Sequence, residues 1–185
     1  MRLRIISGEL GGRFIKTPDS KFTRPTTDKV KQSLFNWLTN YFDLEGIVAA
    51  DLYAGSGSLG FELLSRGAAM VHFVEKNYPV QKVLLENIAS LKVEDRTKVH
   101  KMSAVTFAST TEHTFDIILA DPPFFEFDVH AMVKKVSERK LLKEGGIMVI
   151  ERSIQTTESD TENFGQEPFR RLGDTLLYTF ENSLP

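Results

Sequence analysis

An α/β fold, with a mostly parallel sheet and helices on both faces, is predicted by three observations. From Ile47 onward, short apolar runs of buried-strand type alternate with stretches of helical periodicity, which implies repeated βα units. The first of those runs leads directly into a glycine-rich turn, Gly55-Ser56-Gly57-Ser58-Leu59-Gly60, which opens a helix. The chain closes on two β-prone runs around Gly173-Asp174, which read as an antiparallel pair.

Taken in order, Leu3 to Ser7 and Arg13-Phe14-Ile15-Lys16 are short β-prone runs around the turn-forming Gly8-Glu9-Leu10-Gly11-Gly12, and predict a small hairpin. Thr23-Arg24-Pro25-Thr26-Thr27 is a polar loop, and Thr27 or its neighbour is expected to cap a helix with Asp28 in its first turn. In that helix Val30, Leu34, Leu38 and Phe42 recur at helical spacing, Phe35 and Trp37 widen the core-facing stripe, and Lys29, Lys31 and Gln32 fall on the outer face. Ile47 to Leu52 is the first buried strand, and the helix after it stops at Gly67. Val71 to Glu75 is the second strand. Pro79 opens a helix with Val80, Val83, Leu84, Ile88 and Leu91 on one face. Thr97 to Met102 and Phe115 to Ala120 are the third and fourth strands. A helix from about Asp128, carrying Met132, Val136 and Leu141, is expected to end at Gly145-Gly146, ahead of a fifth strand at Ile147 to Ile150. Ser153 to Glu167 is polar, a loop or weak helix, and Phe169 to Leu172 pairs with Thr175 to Glu181.

With 185 residues and 41% hydrophobic content, the chain can bury one sizeable core and is short for two. It divides into a basic arm and loop, residues 1–27, and one domain, residues 28–185. It has no run of 18 apolar residues and no signal-peptide pattern, which predicts a soluble cytoplasmic protein without membrane association; a monomer is expected. The absence of cysteine removes disulfides and any thiolate nucleophile, and with it methyl transfer to a pyrimidine C5 by the thiolate route. The net charge of -2 conceals a polarity: residues 1–40 hold eight Lys/Arg against three acids, while the remainder holds 15 against 22. A basic arm on an acidic body fits a phosphate-bearing partner, with Arg2, Arg4, Arg13 and Arg24 as candidate contacts.

In an open α/β sheet, ligands bind beyond the carboxyl ends of the strands. Four of those ends carry polar groups here: Asp51, Glu75, Ser103 and Asp121. Gly55, Gly57 and Gly60 spell G-x-G-x-x-G, and Glu75 lies 20 residues past Gly55, the offset of an acid that accepts from ribose hydroxyls. That spacing alone would serve a dinucleotide oxidoreductase equally well. Two features separate the readings. Asp51-Leu52-Tyr53-Ala54 puts a carboxylate where a pyrophosphate would be repelled and an ammonium held. Asp121-Pro122-Pro123-Phe124 ends a buried strand with a carboxylate, two rigid prolines and an aromatic, a combination suited to holding a planar amine, although Asp-Pro is also ordinary turn chemistry. Together they favour S-adenosylmethionine as cofactor. Asp51, Ala54, Gly55 and Gly57 would lie around its amino-acid end, Glu75 at its ribose, Ser103 near its adenine, and Asp121 beside the transferring methyl. His72, His100, His113 and His130 lack ligand spacing, so no metal is expected and these side chains read as structural.

Asp51 to Gly57 resembles the first motif of class I methyltransferases, and Asp121 to Phe124 resembles the (Asn/Asp)-Pro-Pro-(Tyr/Phe) motif of enzymes that methylate exocyclic amines of nucleobases. Arg4-Ile5-Ile6-Ser7-Gly8 with Gly11-Gly12-Arg13, then Thr23 to Val30 running into Leu34-Phe35-Asn36, are similar to the amino-terminal signature of the RsmD family. The likeness covers nearly the whole chain and weakens after about residue 152. It implies a Rossmann-like class I methyltransferase fold with a seven-stranded sheet whose last strand is antiparallel. It also implies methylation of guanine N2 in 16S ribosomal RNA, at the guanosine conventionally numbered 966, either free or in an assembling small subunit. Asp121 and Pro122 would then hold the amine and Phe124 would stack on the base. Ser103 departs from the pattern, since many class I enzymes place Asp or Asn there for the adenine amine. The alternatives are a DNA adenine-N6 methyltransferase, for which 185 residues leave little room for a target-recognition region, and a catalytically idle protein that binds ribosomal RNA.

Overall fold

The structure is a computed structural model that describes residues 2–18, 28–123, 126 and 128–182. Arg24 and its loop, the expected cap at Thr27, and Phe124, Phe125 and Phe127 lie outside the described residues. The chain runs β1 (Arg2–Arg4), β2 (Phe14–Lys16), α1 (Asp28–Tyr41), β3 (Val48–Leu52), α2 (Ser58–Ser65), β4 (Met70–Val74), α3 (Tyr78–Leu91) and β5 (Thr97–His100). It continues with α4 (Ala104–Thr110), β6 (Phe115–Ala120), α5 (Val129–Glu138), β7 (Leu142–Ser153), α6 (Thr157–Phe164), β8 (Arg170–Leu172) and β9 (Thr175–Glu181). Strands β1 and β2 form the separate hairpin; the other seven form one sheet in the order β5-β4-β3-β6-β7-β9-β8. The first five of these are mutually parallel, and β9 runs antiparallel between β7 and β8. Among the described residues no helix is long and apolar enough to cross a membrane.

The apolar strands are continuous because both sheet faces are covered. Alternate residues serve opposite layers: Ala49, Val71, Ile117 and Val149 pack with α1, α2, α3 and the hairpin, while Ala50, Ile118, Met148 and Ile150 pack with α4 and α5. The chain leaves β3 toward β4 and β5, then returns to β6 on the other side of β3. The strand order therefore reverses between β3 and β6, and in open α/β sheets the crevice beyond the carboxyl ends at such a reversal is where ligands bind.

Five features differ from the expectations above. Helix α4 has no counterpart among them; Ser103 caps it, and Ala104, Phe107 and Ala108 supply its buried face. Helix α5 stops at Glu138, Lys140 takes a left-handed φ of 52°, and Leu141 is buried beyond the helix. Gly145-Gly146 is not a helix stop but part of β7, beside a register shift in its pairing with β6. Trp37 is only partly buried and stacks between Tyr41 and Phe169 at the edge of the core, with ring centroids 5.3 and 4.6 Å away. Most consequential, Lys31 is not on the outer face. It is 1% exposed, and its ammonium donates to the Arg4 carbonyl (2.7 Å) and to Ser58 Oγ (3.2 Å), with Glu62 at 3.9 Å. The docked hairpin covers it and supplies its acceptor, which helical periodicity in α1 alone cannot reveal.

His72 on β4 is 2% exposed, with Nδ1 3.1 Å from His100 Nε2, and its ring packs edge-on against His113 (4.7 Å) and Phe115 (5.2 Å). Burial, reinforced by His100, His113 and Lys98, pushes its pKa down to about 4, and burial pushes His100 in the same direction. An unfolded histidine titrates near 6.5, so between about pH 6.5 and 4 the unfolded chain binds the additional proton. The stability held by neutral His72 is complete above that window and is lost as pH falls through it, by about 3 kcal/mol. Urea midpoints are therefore expected to drop steeply between pH 7 and 4.5, and a His72→Phe variant to lose much of that slope.

Candidate active site

Neighbouring β3 and β6 are paired Asp51 to Leu119 and Leu52 to Ala120, so Tyr53 and Asp121 leave the sheet side by side. Asp51 is 1% exposed, and its Oδ2 accepts from Gly60 N at 2.8 Å, tying the strand to the first turn of α2. Gly60 is required there: a β-carbon would sit 2.2 Å from the Phe73 ring, so only glycine lets α2 approach the sheet closely enough. Burial raises the Asp51 pKa to about 8; the nearby charges of Asp121 and Glu75 add to this, and the Gly60 N–H opposes it. Three carboxylates from the ends of β3, β4 and β6 thus share one field.

Glu75 spans the crevice floor. Its Oε2 accepts from Gly55 N (3.0 Å) and its Oε1 from Asn77 N (2.7 Å), while Gln81 Nε2 donates to the Glu75 carbonyl (2.7 Å). Ala54 is buried, and its N–H donates to the Val74 carbonyl at 2.9 Å. Gly55 and Gly57 take left-handed φ values of 57° and 89°, and Gly57 N donates back to Ala54 O, closing the turn. Asn87, buried on α3, donates from Nδ2 to the Ser56 carbonyl (3.0 Å) and to the Lys16 carbonyl (2.9 Å), joining the glycine turn to the hairpin.

Two further contacts, neither visible in the sequence pattern, cross from this floor to the segment after Asp121. Tyr53 holds a left-handed φ of 64°, a strained conformation for an aromatic residue, and its hydroxyl donates to Asp128 Oδ1 at 2.6 Å. Lys76 Nζ donates to Glu126 Oε2 at 2.7 Å. Pro122 is buried, and the Pro123 carbonyl accepts from Glu126 N at 2.9 Å. The segment after Asp-Pro-Pro is therefore pinned from the β3 side and the β4 side at once.

The remaining predicted residues divide. Ser103 is drawn into the cap of α4: its hydroxyl accepts from Thr106 N at 3.1 Å and lies 2.8 Å from Thr106 Oγ1, and its carbonyl accepts from Phe107 N at 2.9 Å. Arg2 and Arg4 are exposed on the hairpin. Arg13 is engaged within the fold: its guanidinium donates to the Leu91 carbonyl (3.1 Å) and the Ser90 carbonyl (2.6 Å), capping the carboxyl end of α3. Arg24 and Phe124 lie outside the described residues. A separate cleft of about 430 Å³, lined by Val133, Val136, Met148 and Phe180, lies toward the opposite end of the sheet, and Asp51, Glu75 and Asp121 are not among its lining residues.

Residues 3–181 match the family model described as conserved hypothetical protein 95. The chain is 32% identical to the Escherichia coli ribosomal RNA small subunit methyltransferase D over 154 residues, which span 83% of this chain and 76% of that relative. It is 36% identical to the Haemophilus influenzae ribosomal RNA small subunit methyltransferase D over 152 residues, 80% of this chain and 78% of the relative. The solved structure of the Escherichia coli protein yhhF is similar at a TM-score of 0.83 and 26% identity, with 99% of each chain covered.

Proposed function

This chain belongs to the RsmD family, described as conserved hypothetical protein 95, and we propose that it methylates the exocyclic N2 amine of a guanosine in 16S ribosomal RNA, at the position of 966 type, with S-adenosylmethionine as donor. The observation that carries this reading is the convergence of Asp51, Glu75 and Asp121 at the strand-order reversal, with Asp51 raised to about 8. Such a site favours a cationic ligand and repels a pyrophosphate, which argues against a dinucleotide. S-adenosylmethionine carries both an ammonium and a sulfonium, and a cation beside Asp51 would return that carboxyl to its ionised form. When bound, it supplies an electrophilic methyl group.

In this reading the protein's own groups work mainly by position and charge. Asp51 anchors the glycine turn to α2 and places a negative charge beneath the ammonium. Glu75 uses one lone pair on each oxygen for Gly55 and Asn77, and a carboxylate has about four acceptor sites, so two remain for ribose hydroxyls. The nitrogen lone pair of a guanine amine is delocalised into the ring. The Asp121 carboxylate and Pro122 carbonyl would accept its two N–H groups, favour a pyramidal nitrogen and direct the lone pair at the methyl. The amine becomes acidic only after transfer, so Asp121 need not be a strong base; it holds the proton until water removes it. Phe124 would stack on the extruded base, and Arg2 and Arg4 would contact phosphates. In this arrangement residues 1–27 form the RNA-contacting arm and residues 28–185 the transfer domain, acting as a monomer on 16S RNA or on the assembling subunit.

The test is transfer from tritiated S-adenosylmethionine to small-subunit particles lacking the modification. Label recovered as N2-methylguanosine is the expected result. Label in adenine, or no label despite tight RNA binding, overturns the reading.

A further inference from the structure

The hairpin register places four side chains on one face. Residues directly opposed in an antiparallel pair share a face, so the pairs Arg2 with Lys16 and Arg4 with Phe14 put three cations and an aromatic together, while Leu3 and Ile15 turn inward. The outward position of Phe14 leaves it 58% exposed. This face continues onto α3. Asn87 Oδ1 accepts from Lys16 N and its Nδ2 donates to Lys16 O, both at 2.9 Å, and Lys16 Nζ pairs with Glu86 at 2.8 Å. From Glu86 the exposed side of α3 runs through Leu85 and Lys82 to Tyr78, positions that recur at helical spacing. Tyr78 is 63% exposed, the Lys82 ammonium sits 4.8 Å from its ring centroid, and it opens α3 three residues after Glu75, beyond the carboxyl end of β4. Glu86 lies eight helical steps from Tyr78, a path of about 12 Å at 1.5 Å per residue. None of these aromatics is used by the catalytic arrangement or by the core.

We propose that Tyr78, backed by Lys82, is a stacking platform for an unpaired RNA base flanking the methylated nucleotide, and that the strand then follows the exposed side of α3 to Phe14 and the cations of the hairpin. The inference rests on the RNA-methylating reading above and adds to it the course of the bound strand. A flat aromatic with a cation at its ring suits any base face, and the neighbouring Arg2, Arg4 and Lys16 suit the phosphates between bases. A protein partner would instead be expected to meet a continuous apolar surface, whereas here the exposed apolar side chains Tyr78, Leu85 and Phe14 are separated by the charged Lys82, Glu86 and Lys16.

The experiment measures binding of a short fluorescein-labelled single-stranded RNA by anisotropy over a range of salt, alongside calorimetric titration with S-adenosylmethionine. Tyr78→Ala is expected to weaken RNA binding roughly ten- to a hundredfold with an unchanged salt slope. Tyr78→Trp should keep wild-type affinity, and Arg4→Ala should lower the salt slope by about one. Cofactor affinity should be the same in all three. If Tyr78→Ala loses cofactor affinity and keeps RNA affinity, Tyr78 belongs to the adenine pocket, and the platform is overturned while the transfer reading stands. If RNA affinity is unchanged but turnover on small-subunit particles falls, the surface contacts protein and the inference is overturned. Wild-type protein that does not bind this RNA overturns the platform, while the transfer reading is decided separately by label in the particle assay.

Discussion

Replacing Asp121 by alanine is expected to lower methyl transfer by about 10²- to 10³-fold, the usual effect of removing one preorganised polar contact from a transition state. Cofactor binding should survive, because the glycine turn is held by Asp51 on Gly60 and Glu75 on Gly55, neither of which needs Asp121. A second signature follows from the shared field. Asp51 stands at about 8 through burial first and the charges of Asp121 and Glu75 second. In the proposed arrangement the cofactor's ammonium is held by ionised Asp51, so affinity should rise with pH toward about 8 and fall above it as the ammonium itself deprotonates. Asp121→Asn retains an acceptor oxygen but deletes a neighbouring negative charge. It should therefore move that limb to lower pH while costing less turnover than alanine. Calorimetric affinities across pH 6 to 9 and single-turnover rates measure the two effects separately. Cofactor binding lost in Asp121→Ala, with the fold intact, would relocate the residue from the amine to the donor.

The parts of the fold legible in the sequence are those with a local pattern. The apolar runs of β3, β4 and β6 are buried, and the glycine turn lies between β3 and α2 as its spacing implies. Helix α4 escaped because its seven residues, AVTFAST, offer only two turns and three small polar side chains, too little periodicity to separate from a loop. The site divides in the same way. Four polar strand ends can be read from sequence, but the tether from Tyr53 to Asp128 spans 75 residues and that from Lys76 to Glu126 spans 50. Such pairs exist only because the strand order brings β3, β4 and β6 together. No composition or spacing rule points from Tyr53 to Asp128. Asn87 left one faint signal, an amide among Leu84, Ile88 and Leu91 on an apolar helix face, where a polar group persists only if its bonds are satisfied.

The second large effect is expected at Glu62. This carboxylate is fully buried on α2 and accepts from Ile6 N (2.8 Å), Ser7 N (3.1 Å) and the Arg66 guanidinium (2.8 and 3.0 Å), with the Lys31 ammonium 3.9 Å away. It is the point at which the hairpin, α1 and α2 meet. Glu62→Ala removes the acceptor for two backbone N–H groups and leaves the buried Lys31 charge, whose pKa burial already lowers, without its counter-charge. Breaking a buried pair from one side costs about 3–5 kcal/mol, which for a domain of this size is on the order of a 10 °C fall in melting midpoint. The loss should not be uniform. The hairpin loses the acceptor of Ile6 N and Ser7 N and is left against a Lys31 charge without Glu62, so it should loosen first, and trypsin should cut at Arg2, Arg4 and Arg13 well before the sheet opens. Glu62→Gln keeps the shape and one acceptor oxygen, and should fall between alanine and wild type. If the arm carries RNA, Glu62→Ala assayed below its midpoint should lose RNA affinity and turnover while binding S-adenosylmethionine normally. An unchanged midpoint and unchanged cleavage would mean that burial of Ile5, Leu10 and Ile15, with the Arg13 and Asn87 hydrogen bonds, is enough to hold the hairpin down, and that the buried charges fix its register rather than its stability.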